Sequence, residues 1–131
     1  MDKKKLLTNL INKAIQKQIS KNYEESIELY NKIISIEPKI YIAHYNLGLI
    51  YQNQNKNNEA IKSYLESLKI NPLFTDAYYN IGLIYRSIGE KYLKSYPKDI
   101  NLRNLDNWSK FEKNNHNIFH GMYQFWVRKI H

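Results

Sequence analysis

The chain repeats its chemistry every 34 residues, and that period constrains the fold more than any other feature. Shifted by one period, Glu25 falls on Glu59, Ile27 on Ile61, Tyr30 on Tyr64 and Pro38 on Pro72. In the other half of the unit, Asn46 falls on Asn80, Leu47 on Ile81, Gly48 on Gly82 and Tyr51 on Tyr85. Asn12, Asn46 and Asn80 form a triplet at the same spacing. A unit of this length is one supersecondary element that buries its apolar face by stacking on its neighbours.

Within each unit the apolar residues follow helical spacing. In repeat one, residues 7–40, the first helix is expected from Leu6 to about Ser20, with Leu7, Leu10, Ile11, Ala14, Ile15 and Ile19 on one side. The second starts near Asn22, turns Ile27, Tyr30, Ile33 and Ile34 inward, and stops before Pro38. Proline has no amide proton and crowds the preceding turn. Repeat two, residues 41–74, is the most regular, with Asn46-Leu-Gly-Leu-Ile-Tyr51, then Asn58-Glu-Ala-Ile-Lys-Ser-Tyr64, then Asn71-Pro72. Gly48 and Ala60 are expected where the helices of the hairpin approach closely, with Tyr51 and Tyr64 as the bulk around that contact.

Repeat three, residues 75–116, begins in register with Ala77, Tyr78, Asn80, Ile81, Gly82, Tyr85 and Gly89 and then departs. The small residue of its second helix should fall at Lys94, and Pro97 sits inside the expected helix. An insertion of about ten residues repairs the register, as insertions map to loops. The first helix then runs to about Ser95, Pro97-Lys-Asp99 makes the turn, and Trp108 takes the place of Tyr30 and Tyr64 in a helix over about 100–114. In the tail, 117–131, Ile118, Phe119, Met122, Phe125, Trp126 and Ile130 share a helical face. It reads as a cap on the last repeat, since solenoid ends must be covered. Docking of this helix to a membrane or a partner is the competing reading.

This 34-residue helix–turn–helix pattern, with its Asn-Leu-Gly…Tyr, Ala…Tyr and Asn-Pro elements, resembles the tetratricopeptide repeat. The expected fold is therefore all-α, a solenoid of three helical hairpins with a C-terminal capping helix in one domain. The resemblance implies a non-catalytic scaffold that binds other proteins through the groove lined by the first helix of each unit. By repeat position that groove holds Ile11, Tyr45 and Tyr79 in one row and Asn12, Asn46 and Asn80 in the next. Ile15, Leu49 and Leu83 form a third row, and Gln18, Gln52 and Arg86 a fourth. The asparagines can donate to and accept from an extended peptide backbone, while the flanking apolar residues offer pockets. Asparagine at this place can equally pack and cap within the repeat. Tetratricopeptide repeats of the co-chaperone type grip a carboxylate with basic residues on these helices. Here the matching places hold Ile11, Ile15, Asn46, Asp76 and Asn80, so acidic chaperone tails are not expected to bind.

Composition bears on the competing function classes. The formal net charge is +8, yet 17 Lys stand against 3 Arg, and Asn and Ile are as abundant as an AT-rich genome would make them. Apart from Lys3 to Lys5 the basic residues are scattered, whereas a nucleic-acid footprint is clustered. No nucleic-acid partner is expected, while weak attraction to anionic membrane surfaces stays open. No apolar run has transmembrane length, and the start shows neither a signal-peptide nor a transit-peptide pattern, so the protein is expected to work where it is made. With no Cys there is no thiolate chemistry. His116 and His120 are four apart without the Glu of a zinc-protease helix, Asn117 standing in its place, and no third ligand is evident. No phosphate loop or nucleophile elbow is present. Neither a cofactor, a metal nor an enzyme activity is expected.

The third unit carries a finer resemblance, to the photosystem I assembly tetratricopeptide-repeat family of plastids and cyanobacteria. That family has Asn-Pro before repeat three, then Ala-x-x-Asn, a Gly-Glu pair leading into an elongated unit, and two late tryptophans near a basic end. These resemble Asn71-Pro72, Ala77 to Asn80, Gly89-Glu90, Trp108, and Trp126 followed by Arg128. The family's longer N-terminal segment and the Ala-rich second helix of its third repeat have no counterpart here, and the junction at Pro38 is shorter by about two residues. The resemblance implies an assembly factor that holds photosystem I subunits at the stromal face of thylakoids. A generic cytoplasmic adaptor is the alternative.

Overall fold

The computed structural model describes residues 2–95 and Lys113. The turn at Pro97, the helix bearing Trp108, the His116 and His120 pair and the tail helix over 117–131 all lie outside them. The described residues form five helices and no strand: α1 Lys3–Ile19, α2 Tyr23–Ile36, α3 Tyr41–Asn53, α4 Asn57–Ile70 and α5 Thr75–Ser95. The fold class is the expected all-α helical-repeat solenoid. The chain divides into two compact units, Met1–Ala77 and Tyr78–His131.

The helix ends recur with the period. After α1 the chain turns at Lys21 (φ 60°), and after α3 at Asn55 (φ 59°), both left-handed. In each case two amides return to the helix just completed. Lys21 and Asn22 donate to the carbonyls of Gln18 and Lys17 at 3.0 and 2.9 Å, and Asn55 and Lys56 to those of Gln52 and Tyr51 at 3.0 and 2.9 Å. These bonds satisfy carbonyls that a helix end leaves orphaned. Asn22 then donates through its side-chain amide to Glu25 at 2.6 Å as α2 begins. The second helices stop where Glu37 (φ −143°) and Asn71 (φ −126°) become extended ahead of Pro38 and Pro72.

The third residue of this turn series is Gly89, the type best suited to a left-handed turn. No glycine has positive φ among the described residues, and α5 continues through Gly89 to Ser95. The first helix of repeat three is thus as long as the sequence suggests. A hairpin at Gly89 would bring Lys94 to the place where Ser26 and Ala60 are fully buried, with Pro97 inside the returning helix. Burying an unpaired ammonium there is prohibitive.

In the first unit Ala14, Tyr30, Ile33, Ala43, Leu47 and Ile50 form one buried cluster drawn from α1, α2 and α3. Each large apolar side chain so buried stabilises the fold by about 1.5–3 kcal/mol. On α4, Ala60, Tyr64, Ser67 and Leu68 are buried. The small residues permit close contact: Ser26 Oγ donates to the carbonyl of Ala14 at 2.8 Å across the first hairpin. Gly48 faces the ring of Tyr64 in the second. Ile27 and Ile34 are only half-buried, and on α1 Ile15 (38%) and Ile19 (75%) are exposed. Helical spacing puts these two on the apolar side, but nothing among the described residues covers them. In the second unit Ile81 and Ile84 of α5 are buried.

Candidate functional site

Tyr30, at the centre of the first unit, links the two helices expected to line a groove. Its phenol O–H donates to Gln18 Oε1 on α1 at 3.1 Å. The side chain of Asn46 on α3 stands near the same phenol. Residues of α1 and α3 thus meet at one hydroxyl, Gln18 through a hydrogen bond and Asn46 by its proximity. Burial pushes the Tyr30 pKa up to about 12, against the smaller opposing effect of Asn46.

The arrangement recurs one period on. Tyr64 Oη donates to Gln52 Oε1 at 2.6 Å, again across twelve residues. Burial raises the Tyr64 pKa, and the neighbouring Tyr45 adds to it. Tyr45 is braced by aromatic contacts, its ring 4.8 Å edge-on from Phe74 and 5.6 Å from Tyr64. Phe74 also meets Tyr41 edge-on at 5.0 Å. Such pairs add about 0.5–1.5 kcal/mol each beyond area burial.

The first unit brings Ile11, Asn12, Ile15, Tyr45, Asn46, Leu49 and Gln52 onto α1 and α3. Asn12 and Ile15 are exposed, and the other five are half-buried. The remaining expected residues lie on α5 in the second unit. There Tyr79 is exposed, Asn80 and Leu83 are half-buried, and exposed Arg86 forms a loose ion pair with Glu90 at 3.7 Å. The Asn row is thus not uniform, since Asn12 faces solvent while Asn46 is half-buried near Tyr30.

Residues 41–74 match a family model described as tetratricopeptide repeat, and residues 17–40 match a second model of the same description. Residues 17–74 are tetratricopeptide repeats. No curated protein matches the chain. Tetratricopeptide repeats are non-catalytic protein-interaction repeats, so the chain carries a protein-interaction scaffold. Among the described residues no helix is long and apolar enough to cross a membrane, and no group of three potential metal ligands occurs.

Sequence reasoning missed the orienting tyrosines, which it assigned to bulk alone. A signal existed: Gln18 with Tyr30 and Gln52 with Tyr64 repeat as pairs, and both members change together in repeat three, to Arg86 and Trp108. It also missed a surface pocket of about 330 Å³ among α2, α3 and α4, lined by His44, Tyr51, Glu59, Lys62, Ser63 and Glu66 among others. His44 Nε2 lies 3.3 Å from the Pro38 carbonyl oxygen. Glu66 is paired with Lys69 at 2.6 Å, which holds its carboxyl below the usual range. These residues occupy a face of α3 separate from Tyr45, Asn46, Leu49 and Gln52. No pattern in the chain announces the pocket.

Proposed function

We propose that the tetratricopeptide repeats hold an extended segment of another protein on the α1 and α3 face. The observation that carries this reading is the bond from Tyr30 to Gln18. It fixes the Gln18 amide on α1, so a polar group sits in a set position on the helix that carries exposed Asn12 and Ile15. Pre-organised polar groups beside apolar surface bind with less ordering cost than mobile ones. The test is a pull-down from native cells with tagged wild-type chain and with Asn12→Lys/Ile15→Lys, whose positions are exposed. Partners held by the wild type and lost from the variant, at unchanged helical content, support the reading. Partners retained by the variant refute it.

A finer reading is an assembly factor for photosystem I, peripheral on the stromal side of the plastid thylakoid. It rests on the likeness of Asn71-Pro72, Gly89-Glu90, Trp108 and Trp126 to that family, and on the length of α5 beyond Gly89. Photosystem I subunits in the same pull-down support it. Unrelated soluble partners favour a cytoplasmic adaptor instead.

A further inference from the structure

The two regular repeats differ at one ion pair. In repeat one, Glu25 at the start of α2 is closed by Lys17 of α1 at 2.6 Å and by the Asn22 amide, also at 2.6 Å. One period on, Glu25 becomes Glu59, but Lys17 becomes Tyr51 and Asn22 becomes Lys56. A phenol thus stands where the ammonium stood. Among the described residues Glu59 has no hydrogen-bond or ion-pair partner, Lys56 included. The pocket of about 330 Å³ opens where that partner is missing, since Tyr51 and Glu59 both line it.

A second charge at the pocket is open as well. Lys62 lines it three residues after Glu59, and residues at that spacing are helical neighbours. The same spacing closes Glu66 onto Lys69 at 2.6 Å, yet Lys62 has no ion-pair partner among the described residues. Leu47 is buried and Ile34 and Tyr51 are half-buried, so the apolar lining lies deepest, with exposed Glu59 and Lys62 at its edge. A purely cationic ligand beside Glu59 would meet Lys56 and Lys62. A purely anionic one beside Lys62 would meet Glu59 and Glu66. A zwitterion sets an opposite charge against each open group. The volume falls at the lower end of the range for small-molecule pockets, about 300–1,000 Å³.

We propose that this pocket among α2, α3 and α4 is a binding site for a free α-amino acid with an apolar side chain. The ligand ammonium takes the place beside Glu59 that Lys17 fills beside Glu25. Its carboxylate meets Lys62 and the Ser63 hydroxyl, and its side chain lies against Ile34, Leu47 and the Tyr51 ring. The site is separate from the protein-binding face of α1 and α3 and does not depend on it.

The test is a nuclear magnetic resonance titration of the nitrogen-labelled full chain with L-leucine and with L-phenylalanine. Leucinamide, which lacks the carboxylate, and N-acetyl-L-leucine, which lacks the ammonium, are the comparisons. At least one of the two amino acids should saturate the chain with a Kd of about 1 mM or below, with amide shifts centred on Leu47, Glu59 and Lys62. Each single-charge analogue should bind about fivefold more weakly. Glu59→Gln should erase the preference over N-acetyl-leucine, and Lys62→Met the preference over leucinamide. Both positions are exposed, so these variants keep the fold, which an unchanged spectrum elsewhere verifies. No saturation by either amino acid up to about 10 mM overturns the site. Shifts centred away from the pocket overturn it too. Equal binding of either analogue overturns the zwitterion, and preferences unaltered by the substitutions overturn the roles of Glu59 and Lys62.

Discussion

The ring of Tyr64 occupies the space that a side chain at Gly48 would need. A Cβ added to Gly48 would meet three atoms of that ring, the Cζ at 2.9 Å. The ring cannot easily retreat, because Tyr64 is fully buried and its hydroxyl is bound to Gln52 at 2.6 Å. The close approach of α3 and α4 therefore sets a ring against a bare backbone.

Replacing Gly48 should accordingly scale with size. Gly48→Ala gains about 1 kcal/mol of helix propensity but loses about 1–3 kcal/mol to overpacking, a net loss. Gly48→Leu should prevent the second hairpin from closing. Urea unfolding followed by circular dichroism checks both, and an unchanged midpoint for Gly48→Leu contradicts the contact.

Asn46→Ala should destabilise the fold as well as alter the face. The sequence alone leaves open whether Asn46 serves a ligand or packs within the repeat. Its half-buried place near Tyr30 favours packing, so loss of the side chain should cost about 0.5–1.5 kcal/mol. Asn12→Ala, at an exposed position, should leave melting within about 0.5 kcal/mol of wild type. Equal melting of the Asn46 and Asn12 variants would show that the packing of Asn46 contributes nothing.

The pH dependence follows from the buried phenols. Tyr30 has a folded pKa of about 12, above the ordinary value near 10. A raised pKa means that the unfolded chain releases its proton first as the pH climbs. The stabilisation is therefore complete below about pH 10 and is lost as pH rises towards about 12. Tyr64 is raised in the same direction and adds to the slope. Melting temperatures across this window should fall less steeply for Tyr30→Phe than for wild type. Parallel curves would mean that the phenol is not desolvated.

Two buried serines make a matched pair of opposite sign. Ser67 Oγ has no hydrogen-bond partner among the described residues, whereas Ser26 Oγ donates to the Ala14 carbonyl. Ser67→Ala should raise stability by about 1 kcal/mol, and Ser26→Ala should lower it by about as much. Calorimetry should read these as melting shifts of a few degrees in opposite directions. Shifts of the same sign would contradict the assignment.

The elements that sequence made legible share a cause. Pro38 and Pro72 end their helices for reasons of covalent structure, and Gly48 marks a close approach because no other residue fits. The run of α5 to Ser95 could be read from Lys94 and Pro97, which a regular hairpin would have had to bury or place mid-helix. The candidate site was legible only as rows. Periodicity says which residues share a face, not what lies behind them, so the partition of Ile11, half-buried, from Ile15 and Ile19, exposed, did not show. The bond from Tyr30 to Gln18 was hidden because it depends on where a ring from α2 ends up against α1.

The central claim is that a partner lies on the α1 and α3 face. A photo-reactive benzophenone side chain placed at Ile15, and separately at Lys62 beside the α2–α4 pocket, tests it directly in native cells. The account predicts a cross-linked protein partner from position 15 and none from position 62. Cross-links from position 62 alone, or from neither position in a protein of intact helical content, would contradict it.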